Sequence, residues 1–334
     1  MRAFSVIIPS LTVAALLLSV ACDSFEDLER TYDITPDESF HPLIMNAQLD
    51  AGQEIHTVWL HLGGPDKTTP ATVPDLSVTV NGAPVFQGET ELGSQVFQTA
   101  FHSGDRVRFE ARGGSVYSEV TVPSPAKIVA AEAVNSDEEN LLKCRVTLRD
   151  EGGQKNWYRL GAVLEVRYKK HYPDERVEDC IIQRALDESD IDTSDDAVIS
   201  SGYSTSDVDF NSLLVPENAW HIFDDSAFDG REVTLKPSIS SFFINADWKY
   251  YLYNYYGPGE EYDGTEISDV QKALLLKVYS LTEQQYLYLR AVTQLDYYGY
   301  DFNFLVEPVP LPTNVEGGLG LVAIDMPAVA RIEL

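Results

Sequence analysis

The chain has 334 residues, enough for one large or two ordinary domains, and 44% of them are hydrophobic, so it can bury a core and is not a disordered chain. Against 24 Lys and Arg stand 53 Asp and Glu, a net charge of −29 at pH 7. Such a polyanion repels phosphate backbones and anionic headgroups, which argues against nucleic acid as a partner and against a polybasic membrane patch.

Residues 1–21 have the build of an export signal. Arg2 supplies a positive start, Phe4 to Leu18 an apolar stretch, and Ser19-Val20-Ala21 the small residues before a cut. The apolar stretch, about 15 residues, is shorter than the roughly 20 that a helical bilayer span needs. It runs straight into Cys22, an arrangement that resembles a bacterial lipobox, whose cysteine is acylated and becomes the mature N-terminus. Ser19 stands where the strict pattern has Leu. At about 0.8 kcal/mol per buried methylene, two or three acyl chains on Cys22 would anchor the protein to a membrane essentially permanently. The following "DSFEDLERTYDITPDE" holds seven acidic residues and no apolar periodicity, so residues 22–38 read as a solvated tether. Acidic residues just behind the cysteine also resemble the export tags of Bacteroidota lipoproteins on the outer face of the outer membrane.

Residues 39–125 read as an immunoglobulin-like β-sandwich. "LIMNAQL", "EIHTVWLHL", "LSVTV", "PVFQG", "SQVFQTAF", "RVRFEA" and "SEVTV" are short strands separated by Gly, Pro, Asp and Asn clusters. Asn81-Gly82 can supply the two positive φ angles of a type I′ hairpin turn. "VPSPAK", residues 122–127, marks a boundary.

Residues 126–334 read as a larger β-rich domain carrying one helix. "IVAAEAV", "LLKCRVTLRD", "WYRLGAVLEVRYKK", "EVTLKPSIS" and "LLLKVYSL" are its strands, and "ALDESDIDTSDDAVISSGYSTSDVDF" a long exposed acidic loop. Thr282 and Gln285 form a capping box at the start of the helix, with Tyr286, Leu289 and Thr293 on its buried face. The fold class is therefore mainly β. Cys144 and Cys180 are left as a pair in an oxidising compartment, and a disulfide and two buried free thiols are both open readings.

The chain carries no nucleophile elbow, zinc-protease helix, phosphate loop, or Cys/His spacing for a metal, so no catalytic, metal or cofactor site is expected. His56 and His61, five apart in one strand, point to opposite faces. "DESDIDTSDD" lacks the central Gly and closing Glu of an EF-hand and reads as a solvated acidic loop. The candidate binding aromatics are Trp248, Tyr251, Tyr253, Tyr255 and Tyr256 in "WKYYLYNYYGPGEEYDG". Read as a strand, this segment has aromatics on both faces, one of them free for a sugar, a peptide or a protein partner. The alternative is a strand sandwiched between sheet and helix.

"SLTEQQYLYLRAV" (280–292) and "NFLVEPVPLPTNVEGGLGLV" (303–322) resemble the closing signature of a Bacteroidota outer-membrane lipoprotein family, domain-of-unknown-function family 4249. The matching residues are Tyr286, Tyr288 and Leu289; Glu307, Pro308 and Val309; and Asn314 to Gly320. "FDDSAFDGREVTL" and "VYSEVTVPSPAKI" resemble internal segments of the same family. Gly317, Gly318 and Gly320 suit a tight turn into a last strand.

The resemblance implies an outer-membrane lipoprotein facing the cell surface and associated with a TonB-dependent receptor in nutrient uptake. No catalytic residue comes with it. A surface adhesin or structural envelope component is the alternative, and a hydrolase ranks below both. Replacing Cys22 by Ser should release the protein from the membrane fraction into the soluble one; a Cys22→Ser protein that still sediments with membranes would refute the anchor.

Overall fold

The computed structural model describes residues 42–63, 73–90, 93–134, 141–201, 203, 217–240, 242–255, 265–298 and 310–334. Cys22, the export signal and the tether lie outside them. Within them the chain is mainly β.

Seven strands, β1 (Leu43–Asp50), β2 (Ile55–Leu62), β3 (Val73–Val80), β4 (Ala83–Thr90), β5 (Gly93–Gln98), β6 (Arg106–Ala111) and β7 (Val116–Thr121), build the expected sandwich. β1, β2 and β5 lie side by side in one sheet, and the other runs β4-β3-β6-β7, so the chain crosses between sheets after β2, β4 and β5. These crossings give the immunoglobulin-like Greek key. Period-two alternation turns Leu43, Met45, Ala47 and Leu49 of β1 inward against Val78, Val107 and Phe109 of the facing sheet. Asn81 (φ 51°) and Gly82 (φ 80°) make the β3–β4 turn as the sequence predicts. The Asn81 side chain also accepts from the Arg106 N–H at 3.0 Å, which ties the hairpin to β6.

The remaining strands are β8 (Lys127–Val134), β9 (Leu141–Arg149), β10 (Trp157–His171), β11 (Val177–Ala185), β12 (Ile191–Asp192), β13 (Ile222–Asp224), β14 (Glu232–Leu235), β15 (Ser238–Ser240), β16 (Glu266–Leu281) and β17 (Val322–Glu333). β12, β15, β9 and β14 form a second sheet, with β8 also on β9. Pro237 divides "EVTLKPSIS" into β14 and β15 because it cannot donate to the ladder; both pieces still pair with β9. The long antiparallel pair β10 and β16 presents Leu160, Leu164, Leu274 and Leu276 to this sheet.

A boundary at 125/126 does not divide the sheets. The first sheet of the sandwich continues into the C-terminal half in the order β11-β10-β16-β17-β1-β2-β5. β17 joins the parts: its first residues pair parallel with β1, from Ala47↔Val322 to Asp50↔Asp325, and its later residues pair antiparallel with β16. Val315, Val322 and Ile324 are buried in the core of the sandwich. The glycine signature makes this approach physically accessible. A Cβ on Gly317 would stand 2.1 Å from the Ser115 carbonyl oxygen, and one on Gly320 2.2 Å from that of Met45. Both glycines also hold positive φ angles, 71° and 113°. The motif thus serves close backbone contact as well as the turn, and the Met45 N–H donates to the Leu319 carbonyl at 2.9 Å.

Two helices of eight residues or more are present among the described residues, not one. The long helix, Glu283–Tyr298, buries Tyr286, Leu289 and Thr293 as expected, on the sheet face opposite the β9 layer. Thr282 caps it, accepting from the Gln285 N–H at 3.3 Å. The Gln285 side chain does not complete the capping box, because its amide donates to Asp325 instead. The short helix, Trp248–Tyr255, stands where the sequence reading placed a strand. Trp248 and Leu252, four residues apart, are both buried, and Asp247 accepts from the Tyr250 N–H at 3.2 Å at the helix start. Tertiary anchoring at helical spacing overrides the strand preference of the aromatics. The acidic loop is corrected in a similar way. Ile191 and Ile199 enter the core, and the buried Asp196 carboxylate accepts from the backbone N–H groups of Val198 (2.9 Å), Ile199 (3.1 Å) and Lys236 (2.6 Å).

Where β10, β16, β17 and β1 run side by side a charge is buried. Asp325, only 5% exposed, accepts from Gln285 and from Arg159 at 3.3 Å. The Arg159 guanidinium lies 4.4 Å from the Tyr279 ring centre. Asp50, the register partner of Asp325, meets Lys277 at 3.8 Å. Burial raises the pKa of Asp325 from its ordinary 3.8 to about 6, although Arg159 and Gln285 pull it the other way. A carboxyl whose folded pKa is raised stabilises the fold most when protonated, and that contribution is lost as pH rises from about 4 to about 6. Relative to Asp325→Asn, which cannot titrate, the wild-type protein should therefore lose up to about 3 kcal/mol across that window. Denaturant unfolding of both proteins at pH 4 and pH 6.5 checks it; parallel pH profiles would contradict the assignment.

Candidate functional site

The outer face of the sandwich sheet carries the clearest binding geometry. In β2 the alternation sends His56, Val58 and Leu60 inward and Ile55, Thr57, Trp59 and His61 outward. His56 is buried. Its Nε2 donates to the Thr99 carbonyl at 3.0 Å, since that oxygen can only accept, and burial lowers its pKa. The two histidines lie on opposite faces, as expected.

Trp59 is 48% exposed, with Asn46 on one side and Ser94 on the other as register partners. Its ring and that of His61 are stacked, with centroids 6.2 Å apart and planes within 6° of parallel. The long helix passes beside this face and contributes Tyr288, whose other contacts are with the cluster around Ile222 and Tyr279. Between them opens a cleft of about 550 Å³, lined by Asn46, Gln48, Asp50, Gln53, Thr57, Trp59 and Tyr288. Asn46 is fixed by accepting from the Leu321 N–H at 3.0 Å, and Asp50 by accepting from the Gly52 N–H at 2.7 Å. Among the described residues no Lys or Arg lines the cleft. Among the described residues the side chains of Gln48, Gln53 and Thr57 have no hydrogen-bond partner, so their donors and acceptors face solvent.

A second cleft, about 730 Å³, is lined by Asp187, Glu188, Asp192, Glu217, Tyr203 and His221. Its histidine is structural. Nε2 donates to the Glu188 carbonyl at 2.9 Å, which leaves Nδ1 to accept from the Thr193 hydroxyl at 3.1 Å, and burial lowers the pKa. With both nitrogens engaged, His221 holds its loop and is not free to move protons.

The residues singled out from the sequence do not form one site. Cys144 on β9 and Cys180 on β11 are free thiols, so of the two readings the structure has the unbonded one. Burial pushes the Cys144 thiol up to about 12 and keeps it inert. Trp248, 4% exposed, is a core residue. Tyr251, Tyr253 and Tyr255 belong to the short helix, with side chains outside the described set, and Tyr256 lies outside the described residues altogether. Trp59 was missed, although a large aromatic at an outward position of an alternating strand was a readable signal. Tyr288 was noted only as part of a signature, because nothing local says that its helix passes beside β2.

Trp59 and Trp248 should therefore behave oppositely on truncation. Trp248→Ala should cost about 3–5 kcal/mol of stability, and Trp59→Ala about 1 kcal/mol or less, in denaturant unfolding. Equal losses would mean that Trp59 is a packing residue and not part of an open site.

No curated protein matches the chain. Residues 29–325 match the family described as Domain of unknown function (DUF4249). That match covers the sandwich, the glycine signature and the long sheet up to the start of β17, and the chain belongs to the DUF4249 family.

Proposed function

We propose that the protein is an outer-membrane lipoprotein of the Bacteroidota type, anchored through Cys22, that serves without catalysis as a ligand-binding accessory of a TonB-dependent transporter in nutrient uptake. The observation that carries the binding role is the cleft between the outer face of β2 and the long helix. It is open, the Trp59 ring beside it is half exposed, and its Gln48, Gln53 and Thr57 side chains are uncommitted. Such a lining binds and orients a ligand but offers no activated nucleophile. The surface location rests on the export signal abutting Cys22 and on the acidic tether behind it.

Native purification from solubilised outer membranes, at several detergent strengths, should recover the protein together with an outer-membrane β-barrel. Recovery of the protein alone at every strength would overturn the accessory role.

A further inference from the structure

We infer that the Trp59–Tyr288 cleft binds a neutral saccharide, an inference that rests on the ligand-binding reading above and names its ligand class. The lining decides the chemistry by elimination. An anionic ligand finds no Lys or Arg among the described lining residues; the nearby Lys277 is already paired with Asp50, the one carboxylate of the lining, in a chain of net charge −29. An extended peptide finds no ladder to join. The floor is the face of a sheet whose β2 backbone is already paired on both sides, with β1 and with β5. A lipid chain would leave Gln48, Gln53, Thr57 and Asp50 desolvated and unpaired.

A sugar ring satisfies every part of the lining. Its apolar C–H face can lie against the half-exposed Trp59 ring, with Ile55 and Leu321 as further apolar lining. Its ring-edge hydroxyls both donate and accept, which matches the carboxamides of Gln48 and Gln53 and the hydroxyl of Thr57. Asp50 accepts from the Gly52 N–H at 2.7 Å with one oxygen and meets Lys277 at 3.8 Å with the other, which keeps a lone pair that can accept from a hydroxyl. Tyr288, carried on the long helix, closes the far side. The cleft volume, about 550 Å³, falls within the range of small-molecule sites.

The test uses the full-length protein in detergent with a panel of neutral trisaccharides (maltotriose, cellotriose, xylotriose and mannotriose) and the tripeptide Gly-Ala-Gly as a comparison probe. At least one trisaccharide should bind saturably by calorimetry and shield tryptophan emission from acrylamide. Trp59→Phe identifies the shielded ring, since it leaves Trp157, Trp220 and Trp248 in place and the shielding should disappear with Trp59. Trp59→Ala and Tyr288→Ala should each weaken binding about tenfold or more, and Gln48→Ala by several-fold, while circular dichroism of the three variants matches the parent. Absence of saturable binding by every trisaccharide, affinity unchanged in both aromatic variants, or saturable binding of the tripeptide alone would overturn the inference. Failure of the sugar assay with the β-barrel still co-purifying removes the ligand class and leaves the accessory role. Sugar binding without any β-barrel does the reverse.

Discussion

The parallel pairing of β1 with β17 is the contact on which the rest of the structure depends. It brings Leu43–Asp50 and Val322–Glu333 together across almost the whole described chain. Closing so long a loop is entropically costly, although the cost grows only slowly with length. What offsets it is the burial that follows: Val315, Val322 and Ile324 complete the sandwich core, and the second half of the same strand continues onto β16. Gly317, Gly318 and Gly320 let the backbone come within hydrogen-bonding range of β1 and β7. Contacts of such sequence separation form late and slowly, so the sandwich strands and the β10–β16 pair are expected to be in place before β17 docks.

The same seam sets the position of the long helix. Asp325 is a costly group to bury, and the energetics of a buried charge give little reason to expect a net gain in stability. Its value lies in geometry. Gln285 is drawn from its capping role to Asp325, which fixes how the helix is rotated over the sheet. Three residues further on, Tyr288 then faces the cleft beside β2. Arg159 and Tyr279 hold the other side of the carboxylate, so the buried polar group is enclosed by partners from β10, β16 and the helix. Cleft geometry is thereby linked to the junction of the sheets.

What the sequence disclosed was local, and what it hid was pairing at a distance. The Asn81-Gly82 turn, the alternating strands of the sandwich, and the Thr282 start of the long helix were all legible from adjacent residues. Each depends on φ preference, period-two burial or capping. The short helix was misread because its aromatic residues favour a strand in isolation; only the packing of Trp248 and Leu252 reveals helical spacing. The acidic loop was misread because Ile191 and Ile199 are isolated apolar residues in a polar stretch, and Asp196 is buried by its backbone partners. The cleft itself was half legible. Trp59 breaks the polar side of its own strand, but its opposite wall comes from a helix more than two hundred residues away.

The high negative charge takes on a different meaning once these loops are seen. Several carboxylates act as internal anchors: Asp150 accepts from the N–H groups of Gly152 (2.8 Å) and Gly230 (2.7 Å), and Asp225 from that of Asn156 (2.7 Å). Charge-assisted bonds of this kind hold turns that have no ladder of their own. Other acids remain on the surface, where they favour solubility and discourage anionic partners. Against that background the lining of the Trp59 cleft stands apart, with one carboxylate among neutral amides, a hydroxyl, aromatic rings and aliphatic side chains such as Ile55 and Leu321. For the proposed ligand, selection there would rest on shape and hydrogen bonding. The surrounding negative field would repel competing anions without weakening a neutral ligand, so charge and cleft divide the work of specificity between them.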